Sequence, residues 1–211
     1  MLISESKKFL FVHIQKTAGR SFEAVLKDNI PDLKSLPGTH DHASWVRGNF
    51  GESWDEYYKV AFVTNPWDRL VSWYFMFIRK GNTRWYKRMT GLGRYNKIRQ
   101  YVLDNANSFE EFIYKCTDTI EDTDGKKSFL YNQLDYVSDG EGNVIVDYIG
   151  RFENLVHDTG EVFNHLGIQG ASLPHKNSSD HRDYRSYYDE STKAIVAERY
   201  ARDIEYFGYE F

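Results

Sequence analysis

A three-layer α/β/α fold around a mainly parallel central sheet, formed as one domain over residues 1–211, is what this sequence predicts. Three observations predict it. A strand, a turn and a helix follow one another twice, over residues 7–27 and again over 58–78. A third β-rich run at 144–149 leads into another helical period. Strands separated by helices favour parallel pairing, with helices covering both faces of the sheet.

Each element has its own signal. Lys7–Ile14 is short, β-rich and closed by a Gly-containing turn, which reads as a buried strand. Ser21–Lys27 carries Phe22, Val25 and Leu26 on one helical face. A loop with Pro31, Pro37 and Gly38 leads to the segment THDHAS at 39–44. Tyr58–Val63 is the second buried strand, ended by Asn65 and Pro66. Pro66 suits a helix entry, and Leu70, Val71, Tyr74 and Phe77 form a stripe through Trp67–Ile78. Residues 81–100 show no clean period. Ser108 and Glu111 form a capping box that opens a helix through Tyr114, and residues 121–127 form a charged loop. Turn residues at 139–143 precede the third strand, Val144–Ile149. Asn154–Leu166 is a helix stopped by Gly167, a polar loop covers 173–183, and Glu190–Tyr206 closes the chain as a helix.

Composition narrows the function classes. A net charge of −4 argues against a general nucleic-acid binder, so any anionic ligand must be met by local cations. The aromatic share of 17% serves a core more often than a groove for sugars or bases. One cysteine, Cys116, excludes an internal disulfide or a multi-cysteine metal site and fits a reducing compartment. The first ten residues hold only a short apolar run, too brief for a signal segment or a membrane span. A soluble, cytoplasmic protein is expected, and its oligomeric state is not legible.

The polar hinge between the first strand and helix, QKTAGRS at 15–21, carries the chemistry. A small turn at the start of a helix aims backbone N–H groups at one spot, where the helix dipole also attracts an anion. Lys16 adds a full charge, and Thr17 and Ser21 add hydroxyl donors. The alternative is a tight connection with a solvated lysine. The triphosphate loop G-x-x-x-x-G-K-[ST] is absent and no acidic magnesium ligand follows the second strand, which disfavours a kinase. A second cluster, AFVTNPWDRLVSWY at 61–74, puts Arg69 and Ser72 three residues apart in the first turns of a helix. Arg69 alone is better explained by an ion pair with Asp68 or a distant carboxylate. Two such loops at one sheet edge suit a ligand with two separated anionic groups.

These segments resemble the motifs of P-loop-like sulfotransferases that use 3′-phosphoadenosine-5′-phosphosulfate (PAPS), in the bacterial and carbohydrate-type branch. HIQKTAGRS at 13–21 is similar to the family's H-I-P-K-T-A-G-T-S. Residues 62–74 are similar to its F-V-R-N-P-x-D-R-L-V-S-x-Y. Later matches are IGRFENL at 149–155, LPHKN at 173–177 and FGYEF at 207–211, so the likeness runs nearly end to end. The resemblance implies a P-loop-NTPase-like sheet and PAPS as donor. It implies that Lys16, Thr17, Ala18, Gly19, Arg20 and Ser21 hold the 5′-phosphosulfate, with Lys16 also catalytic, and that Arg69 and Ser72 sit near the 3′-phosphate. Gln15 departs from the usual Pro, Arg20 from a Thr or Ser, and Thr64 from the Arg that usually grips the 3′-phosphate.

Sulfuryl transfer to a hydroxyl calls for a base near neutral pKa, which points to histidine. Of seven histidines, His13 reads as a hydrogen-bonded core or edge residue, and His165 as one held by a helix C-terminus. His157 lies on the same helix, and His175 and His181 fall in the late polar loop. His40 and His42 lie between the two anion loops. A His-x-His pair is also half a metal site, but no third ligand has suitable spacing, so no metal is expected. By the resemblance His42 is the first candidate for the base and His40 the second. Asp41 would orient either ring or cap the helix that follows. The aromatic and basic stretch KGNTRWYKR at 80–88 would cover an acceptor groove or form a solvated face. The acceptor is a small molecule or carbohydrate. The rivals are a small-molecule kinase and a catalytically degenerate nucleotide-binding module.

Overall fold

A computed structural model describes residues 1–38, 40–78, 94–117, 129, 131–173 and 182–211. The stretch 80–88, the loop 121–127, and His175 and His181 lie outside the described residues. Contacts gather into two compact units, Met1–Thr64 with Gln133–Ser178, and Asn65–Asn132 with Ser179–Phe211.

The first unit holds a five-stranded sheet in the order β3-β1-β2-β4-β5. Its strands are β1 (Leu2–Ser4), β2 (Phe9–Val12), β3 (Lys34–Ser35), β4 (Tyr58–Val63) and β5 (Tyr148–Arg151). β2, β4 and β5 pair in parallel, while β1 pairs antiparallel with both β2 and β3. The sheet is therefore mixed, with β2, β3, β4 and β5 running one way and β1 running against them. The two extra strands have three and two residues, too few to show a period. Asp32 pins this edge by accepting hydrogen bonds from the Ser6 amide (2.9 Å) and the Ser4 and Ser6 hydroxyls (2.7 and 2.8 Å).

Two helices cover one face of the sheet, α1 (Gly19–Asn29) and, later in the chain, α7 (Leu155–Leu166). Alternate strand residues Phe9, Phe11, Val60 and Phe62 pack on Phe22, Val25 and Leu26 of α1 and on Val162, Phe163 and Leu166 of α7. The Phe62 ring lies over Gly150, where a Cβ would come within 2.4 Å of it. The unit also holds α2 (Ala43–Arg47) and α6 (Gln133–Val137).

The third strand is displaced from its expected span of 144–149. Asp139 accepts from the Glu141 and Asn143 amides, and the resulting turn closes Ser138 onto Val144 as an isolated bridge. The chain joins the sheet only after Asp147, whose carboxylate accepts from the Lys59 amide at 2.7 Å.

The second unit contains α3 (Pro66–Ile78), α4 (Arg94–Asn105), α5 (Phe109–Cys116), α8 (Glu190–Arg199) and α9 (Ala201–Phe207). Asn65 caps α3 by accepting from the Trp67 amide, with Pro66 in the first helical position. Ser108 caps α5 as expected, while Glu111 reaches back to the Asn107 amide instead of its partner's own. The closing helix is two helices, broken at Tyr200. That ring is buried in an aromatic core with Trp73, Phe77 and Phe112, and its hydroxyl donates to the Phe129 carbonyl at 2.6 Å. Burial pushes the Tyr200 phenol up to about 12, against the opposing charge of Arg69.

Candidate functional site

The turn from β2 into α1 is built by two left-handed residues that are not glycine, Lys16 (φ 71°) and Ala18 (φ 59°). Such conformations cost a non-glycine residue free energy and persist where surroundings enforce them. Thr17 enforces this one from inside. Its buried hydroxyl donates to the Ile14 carbonyl at 2.9 Å, closing the loop on itself. Ala18 is the N-cap of α1. No side chain caps that helix, and its first turn carries no acidic residue.

Gly19 is glycine because of His13. A Cβ at Gly19 would stand 2.1 Å from His13 Nε2 and 2.2 Å from Cδ2. The imidazole is buried between the Phe11 ring, stacked at 5.4 Å, and the His40 ring, edge-on at 4.6 Å. His13 was expected to be hydrogen-bonded, yet its Nδ1 has no hydrogen-bond partner among the described residues. Burial, reinforced by the charges of His40 and Arg20, holds this imidazole well below the ordinary histidine value, so it is neutral.

His40 is half-buried, and its Nδ1 lies 2.7 Å from the His13 carbonyl. A carbonyl only accepts, so Nδ1 carries the proton, and in the neutral ring Nε2 carries the lone pair. His42 sits at the start of α2 without a side-chain capping bond. Its buried ring lies flat on Trp45 (3.8 Å, 6° between planes) and 4.4 Å from the Tyr136 ring. Asp41 does not cap α2, because His42 is the N-cap. The Asp41 carboxylate lies instead over Gly38, where a Cβ would be 2.0 Å from Oδ2.

The first unit thus brings the loop 16–21 and His40 together through His13. It also brings His42 near Gln15 through Tyr136, whose hydroxyl donates to Gln15 Oε1 at 3.2 Å. Arg20 is exposed, Lys16 half-buried and Ser21 buried. Thr64, at the end of β4, is buried, and its hydroxyl donates to Glu153 at 3.1 Å. Gln133 holds the Thr64 backbone at both ends, accepting from its N–H (2.9 Å) and donating to its carbonyl (2.7 Å). Arg69 and Ser72 belong to the second unit. Arg69 is buried there, with Nη1 3.5 Å from the Tyr131 carbonyl, and Ser72 is half-buried.

Gln133 and Tyr136 escaped the sequence reading. Their only signal is the buried pair Leu134 and Val137, three residues apart, and α6 has just five residues. Among the described residues, no three His, Cys, Asp or Glu side chains are placed to hold a metal ion. None of the described helices is long and apolar enough to cross a membrane.

The loop has the chemistry of an anion cradle. It combines a helix start without a side-chain cap or acidic residue, an adjacent lysine, and a buried neutral imidazole beneath the backbone. A terminal phosphosulfate fits that donor set. A sequence model of a sulfotransferase family matches residues 1–210. No curated protein matches the chain.

Proposed function

The chain belongs to the sulfotransferase family, and from that premise we propose that it moves a sulfuryl group from PAPS to a hydroxyl of a small-molecule or carbohydrate acceptor. The observation that supports the donor is the cradle itself, with Lys16 and Ala18 left-handed at a helix start that no side chain caps. The donor supplies an SO₃ unit on a phosphate leaving group. In this proposal Lys16, the N–H groups of residues 17–20 and the Ser21 hydroxyl bind the 5′ end and stabilise charge that gathers on the leaving oxygen, while the Ser21 amide donates to the Ala18 carbonyl at 2.9 Å. Thr17 keeps the loop in shape through its bond to Ile14. Arg69 and Ser72 are assigned to the 3′-phosphate by their match to the second motif.

His42 is proposed to take the acceptor proton, because Trp45 and Tyr136 fix its ring orientation in advance. One observation favours a second reading with His40 as the base. Its bond to the His13 carbonyl sets the tautomer with the lone pair on Nε2. The single cysteine, Cys116, is buried and supports a cytoplasmic setting.

Titration calorimetry with 3′-phosphoadenosine 5′-phosphate (PAP) tests the donor. PAP is expected to bind without magnesium, and Lys16→Ala to weaken it by about 10- to 100-fold, the loss of one charge-assisted bond. Tighter binding of ATP with magnesium would move the protein to the kinase rival. PAP binding without transfer to any member of an acceptor panel would favour a degenerate module. Comparing kcat of His42→Ala and His40→Ala on an acceptor that reacts decides which ring is the base.

A further inference from the structure

Helix α6 touches three parts of the site at once. Gln133 and Tyr136, three residues apart, share one side of it. Gln133 holds the backbone of Thr64, and Tyr136 meets both Gln15 and the His42 ring. We infer that Tyr136 is a positioning residue, coupling the loop at 16–21 to the histidine segment through its hydrogen bond to Gln15. The functional meaning of this coupling rests on the proposed role of that loop in donor binding.

The physical case starts from burial. Tyr136 is fully buried, and a buried phenol needs a hydrogen-bond partner. Gln15 Oε1 accepts that bond. Gln15 directly precedes Lys16, whose left-handed backbone starts the cradle. Any shift of Gln15 therefore moves the backbone of Lys16, the lysine that the proposed function assigns to the anion. The ring of the same tyrosine rests on His42, so one side chain sets both the loop and the candidate base relative to α6. A proline at position 15, as in the motif this loop resembles, has no side-chain acceptor. The coupling belongs to this chain's own pair of residues. A side chain serving only to fill space would work equally well as phenylalanine, which separates the two roles.

A double-mutant cycle tests the inference, using Tyr136→Phe, Gln15→Met and the pair together. Amide hydrogen exchange is read over residues 15–21 in the protein without ligand, and PAP affinity is read by calorimetry. Each single variant is expected to speed exchange in 15–21 by about fivefold and to weaken PAP by about five- to tenfold, the worth of one net hydrogen bond. Exchange in β4 and α7 should stay unchanged, and the double variant should be no worse than either single. Strictly additive effects, an unchanged loop, or exchange raised evenly across the unit would overturn the inference. Should the wild-type protein fail to bind PAP, the donor assignment falls, and the exchange cycle still decides the coupling. Should Tyr136→Phe fold poorly, Gln15→Met carries the same comparison, since it removes the acceptor and leaves the ring in place.

Discussion

Substituting Gly19→Ala should damage the loop through a single contact. The backbone there is helical, so alanine meets no strain in φ. At a helix start alanine even gains something less than the ~1 kcal/mol that separates it from glycine in helix interiors. Against this stands the His13 ring. The new Cβ would lie 2.1 Å from Nε2 and 2.2 Å from Cδ2, more than 1 Å inside ordinary contact. The ring has no easy retreat, with Phe11 at 5.4 Å, His40 at 4.6 Å and only 5% of the residue exposed. Overpacking of this kind costs about 1–3 kcal/mol, so the net loss should be about 1–2 kcal/mol. Urea unfolding measures it, with an unchanged m-value showing that the folded state is the one affected. His13→Ala supplies the control, because in that background Gly19→Ala should be neutral or slightly stabilising. If Gly19→Ala alone unfolds within ~0.5 kcal/mol of wild type, or if its cost persists without the ring, this account of the loop is wrong.

Gln133→Leu should destabilise by about 2–5 kcal/mol, since it strips partners from a buried N–H and a buried carbonyl at Thr64 together; chemical denaturation reads the loss. Acid should weaken the first unit through His13. The folded imidazole stays neutral well below 6.5 while the unfolded one gains a proton near that value. The stability is therefore fully present above pH 6.5 and falls as pH drops below it, by up to about 1.4 kcal/mol per pH unit. Replacing His13 with Asn should flatten that slope between pH 6.5 and 5, and an unaltered slope would show that the ring is charged in the folded protein.

The legible parts of this molecule are those whose signal is local. The turn at 15–21, the cap at Ser108 and the entry at Pro66 each depend on neighbours in sequence, and each lies where the residues indicated. Helix α1 begins two residues earlier than expected, at Gly19, because a helix end frays and tightens without changing its apolar stripe. What escaped depends on distant partners. β1 exists as a strand because it finds β2, and β3 because it finds β1, and two or three residues carry no period of their own. Tyr200 breaks the last helix although its apolar spacing continues, because its side chain is drawn to the carbonyl of Phe129. His13 looked like an ordinary strand histidine, and nothing local says that its ring presses on a glycine six residues later. Arg69 sits on the expected helix, but its burial within the second unit is set by residues as far away as Tyr200.

The bidentate grip of Gln133 on Thr64 joins two residues 69 positions apart in the chain. Residues 65–132 group with the second unit, so the Gln133 amide ties together the two points at which the chain leaves and rejoins the first. Polymer statistics make such an excursion tolerant of length, since doubling it adds only ~0.6 kcal/mol of closure entropy. Changes of length in the loops of 65–132 should therefore leave the sheet and the turn at 15–21 intact so long as the Gln133 amide keeps its hold on Thr64.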